Sequence, residues 1–324
     1  MEKLRGVLEA RQVIIYFLAI LGGAVFGLAV PAASVFEGVM NPALAVMLFA
    51  TFLQVPLAEI GAALRNVRFI AALVMANFVA MPAISAGLIQ FLPTDPMLRL
   101  GVLFVLLTPC IDYVITFTHV GRGNARLLLA MTPMLLVLQM LLLPVYLNVM
   151  LGSEVSNIVE AGPFLQAFIW LIVVPLALAT VMQALMRRHQ KLAKAGQVLD
   201  LLPVPATAFV LFVVLASVMP KIGLAQDAAL RAAPIYIAFA LIAPLIGKLA
   251  AGLMRLDAIS ARAVSFSASY RNSLVILPLA FAVPGGVPLL PAIILTQTIV
   301  ELCFLPVYVR LIPRLSGAPF TRSD

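Results

Sequence analysis

The sequence predicts an all-α membrane protein with ten transmembrane helices, arranged as a five-plus-five inverted repeat in which the fourth and ninth helices are interrupted and cross. Three observations predict this fold class: the composition, the length of the apolar segments and an internal repeat. Apolar residues make up 64% of the 324-residue chain, and charged residues only 10%. A soluble globule needs a mostly polar surface, so this composition excludes that class.

The apolar segments have the length of membrane spans. About 20 residues cross a hydrocarbon core of about 30 Å, and segments of this length occur ten times. The first runs almost directly into the second and has no small-residue cleavage site, so it is not expected to be a cleaved signal. The predicted spans are residues 13–31, 38–57, 69–91, 98–120, 127–151, 163–186, 201–219, 232–254, 260–283 and 287–311.

The basic residues predict the orientation of these spans. With the N-terminus inside, sixteen Lys and Arg residues lie on the cytoplasmic side and three on the other. The sixteen are Lys3, Arg5, Arg11, Arg65, Arg68, Arg122, Arg126, Arg187, Arg188, Lys191, Lys194, Arg255, Arg262, Arg310, Arg314 and Arg322, and the three are Arg99, Lys221 and Arg231. We therefore expect a plasma or bacterial inner membrane protein with both termini in the cytoplasm. The net charge of +8 needs no nucleic-acid partner.

Motifs for several other functions do not occur in the sequence. There is no zinc or haem motif and no Gly-x-x-x-x-Gly-Lys-Ser/Thr phosphate loop. Cys110 and Cys303 both fall within predicted spans, where a structural disulfide is not expected. No nucleophile lies beside a base in the spans. We therefore expect no cofactor, no metal and no enzymatic activity, and a transport process driven by an ion gradient.

The second half of the chain repeats the first at an offset of 162 residues. Residues 137–147 fall on residues 299–309 and share the run Leu-Pro-Val-Tyr, and Pro82 falls on Pro244. The two halves, residues 1–151 and 152–324, form one membrane domain in this interpretation. Each half has five spans, an odd number, so the second copy must insert with the opposite orientation.

Transporters with inverted repeats bind their substrate near the membrane midplane, on helices that are broken there. The fourth predicted span has a polar cluster at residues 108–119, which includes Pro109, and the ninth has one at residues 265–273. At the offset of 162, Cys110 falls on Asn272. Proline opens the helical backbone and small polar side chains satisfy it, so we expect both spans to unwind and to cross at these clusters.

Three ionisable residues lie deep inside apolar segments: Asp112, Arg271 and Glu301. A charge at mid-bilayer depth costs about 2.5–3.5 kcal/mol, so the default expectation is that each has a function. Asp112 and Arg271 either form a structural ion pair or share an anionic ligand, which Arg271 would hold while Asp112 accepts a proton. Glu301 falls on Gln139 in the first half, so packing alone does not require a charge there.

The paired interruption of spans four and nine in an inverted repeat resembles the bile acid:sodium symporter superfamily over nearly the whole chain. Within it, the pair Cys110-Ile111 in span four and Glu301 before an apolar-Pro-Val run in span ten look most like the arsenical resistance branch, the arsenite efflux permeases. In that branch a cysteine in span four and a glutamate in span ten are functional. The resemblance therefore implies functional roles for Cys110 and Glu301.

Span nine departs from both family patterns. Arsenite permeases carry an Asn-Asn-Phe-Glu-like stretch where this chain has Tyr-Arg-Asn-Ser at residues 270–273. Bile acid symporters coordinate sodium there with a glutamate and a glutamine, and neither is found at this stretch. The guanidinium of Arg271 indicates an anionic ligand or a distinct subgroup.

These observations predict a secondary active transporter that exports arsenite or a related small oxyanion and is coupled to protons. The alternative is a sodium- or proton-coupled importer of a small organic anion anchored by Arg271. The expected partners are a small anionic or metalloid substrate, a coupling proton or sodium ion, and the lipid bilayer. The predicted substrate-binding residues are Cys110, Asp112, Tyr113, Arg271, Asn272, Ser273 and Glu301. The predicted ion- or proton-coupling residues are Glu301, Asp112, Thr108, Ser269 and Gln297.

Overall fold

The structure is a computed structural model, and every regular element in its described ranges is a helix. It describes residues 2–30, 36–54, 65–111, 113–152, 169–189, 198–220, 225–281 and 283–315, together with 166, 192 and 196. Five residues used in the sequence analysis lie outside these ranges: Asp112, Lys191, Lys194, Lys221 and Arg322.

Each predicted apolar segment contains a helix, and segments four and nine each contain two. The helices are α1 (Glu2–Ala29), α2 (Glu37–Leu53), α3 (Val67–Phe91), α4 (Pro96–Leu106), α5 (Val114–Val120), α6 (Ala125–Leu151), α7 (Val174–Arg188), α8 (Pro203–Val218), α9 (Gln226–Leu253), α10 (Ala258–Ser269), α11 (Ser273–Phe281) and α12 (Leu289–Leu315). Helix α3 contains a π-helical turn, Met75–Ala80, and a second π-helical segment, Ile169–Val173, directly precedes α7. Helix α1 begins before its apolar segment, and an ion pair one turn apart, Arg5 Nε to Glu9 Oε1 at 2.7 Å, supports the added turns.

Five of the described helices are long and apolar enough to cross a membrane: α1, α3, α6, α9 and α12. Helices α2, α4 and α8 are apolar but shorter. Helices α4 and α10 are short because each ends where a predicted span is interrupted. The chain is therefore a multi-pass membrane protein.

The chain divides into two compact units, and each unit draws on both halves of the sequence. Unit one comprises Met1–Val55, Asn157–Ala228 and Leu274–Ala292, and unit two comprises Pro56–Ser156, Ala229–Ser273 and Ile293–Asp324. Unit one is held by close helix packing. A Cβ on Gly23 would lie 2.5 Å from the carbonyl of Phe212, and one on Gly27 would lie 2.6 Å from that of Ala216, so only glycine lets α1 approach α8 this closely.

Unit two contains α3 to α6, α10 and most of α9 and α12, and a proline opens the backbone of α3 inside it. Pro82 has no N–H to donate to the carbonyl of Phe78, four residues earlier. The hydroxyl of Tyr146 in α6 donates to this carbonyl at 2.6 Å. The tyrosine thus satisfies an acceptor that the proline leaves open.

The same arrangement occurs 162 positions later. Pro244 in α9 cannot donate to the carbonyl of Ala240, and the hydroxyl of Tyr308 in α12 donates to it at 2.8 Å. The proline and the tyrosine are both repeated in the sequence, and the structure shows that they act as a pair in each half.

The two short helices that precede the interruptions begin with equivalent N-caps. Asp95 accepts hydrogen bonds from the amides of Met97 and Leu98 at 2.9 and 3.1 Å at the start of α4. Asp257, 162 positions later, accepts from the amides two and three residues further on at 3.2 and 3.3 Å at the start of α10. Partial burial raises the pKa of Asp257, but its hydrogen bonds outweigh this effect and leave the pKa below its usual value. Each aspartate satisfies amides that a helix start leaves unpaired.

Candidate functional site

Both predicted interruptions are present in unit two. Helix α4 ends at Leu106 and α5 begins at Val114, while α10 ends at Ser269 and α11 begins at Ser273. Proline and hydroxyl side chains account for the first break, because Pro109 cannot donate a helical hydrogen bond and the Thr108 hydroxyl donates back to the Phe104 and Val105 carbonyls at 2.9 and 3.1 Å. At the second, the Ser269 hydroxyl donates to the Ser265 carbonyl at 2.7 Å.

The two interruptions are joined by an antiparallel β-bridge between Pro109 and Arg271. The amide of Cys110 donates to the carbonyl of Tyr270 at 3.0 Å, and the amide of Asn272 donates to the carbonyl of Thr108 at 2.8 Å. The four residues form two pairs that are each 162 positions apart. The backbone hydrogen bonds that two helices lost are therefore replaced by bonds between the two breaks.

Glu301 of α12 lies against this bridge with its carboxylate buried. Its Oε2 accepts from the main-chain N–H of Arg271 at 2.7 Å and from Nε2 of Gln297 at 2.6 Å. Its Oε1 accepts from the hydroxyl of Tyr113 at 2.5 Å. One turn away, Gln297 Oε1 accepts from the hydroxyl of Ser273 at 2.7 Å. The carboxylate thus connects α12 to both interrupted segments.

The side chain of Arg271 is fully buried and points to oxygens, none of which belongs to a carboxylate. Its Nη1 donates to the carbonyl of Leu106 at 3.1 Å, and its Nη2 donates to the carbonyls of Ser267 and Ala268 at 3.1 and 2.6 Å. Nη2 also donates to Oδ1 of Asn77 at 2.9 Å. These carbonyls are at the C-terminal ends of α4 and α10, where a helix carries partial negative charge.

A cavity with room for about one water molecule lies beside these groups. Its lining consists of Leu106, Tyr236, Phe239, Ala240, Ser269, Gln297, Val300, Glu301 and Tyr308. The Tyr236 hydroxyl is buried and has no hydrogen-bond partner within the described part of the chain. The cavity therefore offers polar groups to a small guest beside Glu301.

Aromatic rings close the site. Tyr270 is fully buried between Phe117 and Tyr308, with ring centroids 6.0 and 5.6 Å away, and Tyr113 contacts it edge-on at 6.0 Å. These rings surround the polar groups with apolar surface, which strengthens the electrostatic interactions inside.

The structure brings together most of the residues that the sequence predicted. Tyr113, Arg271, Ser273, Gln297 and Glu301 are connected by direct hydrogen bonds. Thr108, Cys110 and Asn272 form the bridge, and Ser269 lines the cavity. Asp112 lies outside the described residues, so its predicted pairing with Arg271 stays a prediction.

Several residues of the site were not predicted from the sequence, among them Asn77, Tyr236, Phe239 and Tyr308. Asn77 lies in the π-helical turn of α3, and its side-chain oxygen accepts a hydrogen bond from Arg271. Phe239 lies in α9, and its ring centroid is 5.1 Å from Cζ of Arg271. Asn77 and Phe239 are 162 positions apart, so the repeat could have indicated both. Tyr308 belongs to the repeated Leu-Pro-Val-Tyr run and carried the same signal.

The sequence of the chain was compared with those of known proteins and protein families. No curated protein matches the chain. The model of the Sodium Bile acid symporter family matches residues 41–228, more than half of the chain, from α2 to the start of α9. Its members are membrane transporters, in agreement with the apolar helices described above. The match covers the first interruption, whereas Arg271 and Glu301 lie beyond it. The chain belongs to the sodium bile acid symporter family.

Proposed function

We propose that the chain is a secondary active transporter that exports arsenite or a related small oxyanion in exchange for protons. The observation that carries this proposal is the buried Glu301 carboxylate, which three neighbouring groups hold at the joined interruptions beside a small cavity. Ionisable groups inside a membrane protein are costly and are retained where they work. A carboxylate in this position is suited to exchanging a proton for a substrate.

Protonation of Glu301 would change its contacts. The ionised carboxylate accepts hydrogen bonds from the Arg271 amide, Gln297 and Tyr113. Once protonated, the carboxyl group has an O–H to donate, and of the three present partner atoms only the Tyr113 hydroxyl oxygen can accept from it. Tyr113 directly precedes α5, so we propose that proton binding alters how this half of the interrupted span is held.

We further propose ten membrane spans in a five-plus-five inverted repeat, with both termini in the cytoplasm. Three sets of contacts support the repeat, because each occurs twice at the same offset: the two bridge hydrogen bonds, the two tyrosine-to-carbonyl bonds and the two aspartate caps. Repeats of this kind allow alternating access by motion of one set of helices against another.

Arsenite is proposed as the substrate because of Cys110. Trivalent arsenic is a soft centre that prefers sulfur ligands. Cys110 is buried in the first interruption, and its amide belongs to the bridge. Arg271, by contrast, directs its guanidinium to helix-end carbonyls, so this conformation gives less support to an anion held on Arg271. A single thiol would bind the substrate weakly enough to release it.

A second candidate function is the sodium- or proton-coupled import of a small organic anion. The family match favours it, because the family model is that of sodium bile acid symporters. Under this alternative, Arg271 would have to leave its carbonyl partners to bind the anion.

Transport by the purified protein in liposomes tests these alternatives. Radiolabelled arsenite, pyruvate and pantoate would be supplied in turn under an imposed pH gradient, a sodium gradient or neither. We expect arsenite to accumulate under the pH gradient only, and Cys110→Ser to abolish this uptake. Cys303→Ser is the matched control, because Cys303 is exposed on α12 and should leave uptake unchanged. Uptake of a carboxylate that survives Cys110→Ser and is lost in Arg271→Gln would establish the importer instead.

A further inference from the structure

The broken ends of α4 and α10 contain main-chain carbonyls that need donors. The last carbonyls of a helix have no intrahelical partner, and buried ones must find another. In α4, the carbonyls of Phe104 and Val105 accept from the Thr108 hydroxyl, which leaves that of Leu106. In α10, the carbonyl of Phe266 accepts from the Tyr270 amide, and those of the next two residues remain.

The guanidinium of Arg271 supplies a donor to each of these three carbonyls. It bonds the carbonyls of Leu106, Ser267 and Ala268, and Oδ1 of Asn77 completes a set of four uncharged oxygens at 2.6–3.1 Å. Asn77 is itself fixed, because its Nδ2 donates to the Leu73 carbonyl at 3.2 Å and to Ser267 Oγ at 3.0 Å. The oxygens therefore form a built site whose occupant is a cation.

Within the described part of the chain, the guanidinium contacts dipoles and no carboxylate, and the charge of the Glu301 carboxylate acts on it at longer range. Among the described residues, the ion pair within 4.0 Å is that of Arg5 and Glu9, far along the chain from this site. Glu301 contacts Arg271 through the main-chain amide, not through the guanidinium. Two helix C-termini aimed at one point provide the negative potential that a buried cation needs.

Oxygens of this kind are also the ligands of alkali metal ions. In transporters with broken helices, unwound carbonyls and helix C-terminal ends coordinate the coupling sodium ion. Here the same type of oxygen set is filled by a guanidinium, which is a permanent cation at physiological pH. Because the guanidinium nitrogens lie in direct hydrogen-bond contact with these oxygens, no room for a second cation remains between them.

We propose that the Arg271 guanidinium is a tethered cation that takes the place of a coupling sodium ion between the ends of α4 and α10. The inference rests on the proposed function as a secondary transporter, but not on the identity of its substrate. It means that the site is permanently charged and does not respond to sodium. Removal of the guanidinium should then convert the same oxygens into a sodium site.

Thermal unfolding of the purified protein in sodium, potassium or choline chloride at equal ionic strength tests this proposal. We expect the Tm of the wild-type protein to be the same in all three salts. We expect Arg271→Ala to lower the Tm in potassium and choline, and sodium to restore roughly 2–4 °C, as a ligand that binds only the folded state does. Arg271→Lys keeps a tethered cation and should show no sodium response.

Two controls make the test specific. Arg262→Ala removes a second mostly buried arginine, which lies within α10 and donates from Nη1 to the Arg122 carbonyl at 3.1 Å, and it should gain no sodium response. Adding Asn77→Leu to Arg271→Ala removes one of the four oxygens and should reduce the sodium effect.

A rise in wild-type Tm with sodium would overturn the proposal. An Arg271→Ala protein that folds but has the same Tm in sodium and in potassium would also overturn it. Failure of Arg271→Ala to fold in either salt would overturn it as well. None of these outcomes depends on arsenite transport. If the protein does not transport arsenite, the sodium results still test the role of Arg271. If the wild-type protein exports arsenite and is also stabilised by sodium, only the proposal of a tethered cation is overturned.

Discussion

The two interruptions of unit two have the same backbone contacts and different side chains. In each break one main-chain amide donates a hydrogen bond and one carbonyl accepts one. The two amides are 162 residues apart in the chain, and so are the two carbonyls. The first break presents Pro109 and Cys110 at the places where the second presents Arg271 and Asn272. The same main-chain contacts are therefore compatible with quite different side chains at the two breaks.

The same contrast extends to the surrounding helices. Asn77 in α3 and Phe239 in α9 occupy equivalent positions, and both contact the Arg271 guanidinium. Gln139 in α6 is equivalent to Glu301 in α12, yet its amide is buried with no hydrogen-bond partner within the described ranges. Among the described residues, the charged groups of the site thus come from the second half, and the first half supplies uncharged partners.

The largest expected difference in transport activity is between a substitution of Glu301 and one of Gln139. Glu301→Gln should reduce transport to the level of empty liposomes, because a neutral amide cannot exchange a proton and cannot accept from all three of its present donors. Gln139→Leu should retain transport and raise the stability by about 1–3 kcal/mol, because it removes a buried polar group without a partner. Liposome uptake and thermal unfolding measure the two effects. Loss of transport in Gln139→Leu would show that both halves contribute to coupling.

The next largest difference, in the free energy of unfolding, is expected between substitutions of the two side chains that contact the guanidinium. Asn77→Leu should lower the free energy of unfolding by about 1.5–3 kcal/mol, the range for a hydrogen bond to a charged group. Phe239→Leu, which keeps an apolar side chain, should cost less than about 1.5 kcal/mol. Unfolding of the two variants in the same detergent compares them. Equal losses would mean that Asn77 acts through packing and not through its oxygen.

The tyrosine pairs should behave alike in both halves. Tyr146→Phe and Tyr308→Phe should each lower the free energy of unfolding by about 0.5–1.5 kcal/mol, because each leaves one carbonyl without its donor. Combining Pro82→Ala with Tyr146→Phe supplies a main-chain N–H for the Phe78 carbonyl. In this background the tyrosine change should no longer lower the free energy of unfolding. A cost that persists in the Pro82→Ala background would show that the hydroxyl does not act by satisfying this carbonyl.

The smallest expected effects come from the two N-caps. Asp95→Ala and Asp257→Ala should each cost about 0.5 kcal/mol, the low end of measured values, because both caps are exposed. The folded pKa of Asp257 lies below its unfolded value of about 3.9, so its contribution is present above that pH and is lost as the pH falls through the folded pKa. Unfolding of wild type and Asp257→Ala between neutral and acidic pH should therefore converge. A difference that grows on acidification would contradict this role.

Much of this arrangement could be predicted from sequence. The interruptions were recognisable because proline and small polar residues are conspicuous in apolar segments, and Arg271 and Glu301 stood out as buried charges. The partners of Arg271 could not be predicted. Main-chain carbonyls are present at every position and leave no trace in a sequence, so the sequence indicated only an acidic partner or an anionic ligand for Arg271. The two units also could not be predicted, because each is assembled from segments distant in the chain.

The reciprocal bridge has a consequence for hydrogen exchange. The amides of Cys110 and Asn272 are each covered by the opposite break, so neither can meet solvent unless the two segments separate. Local openings expose the amides of one cooperative region together. The two amides, far apart in the chain, should therefore show the same protection against exchange with deuterium and report one opening event.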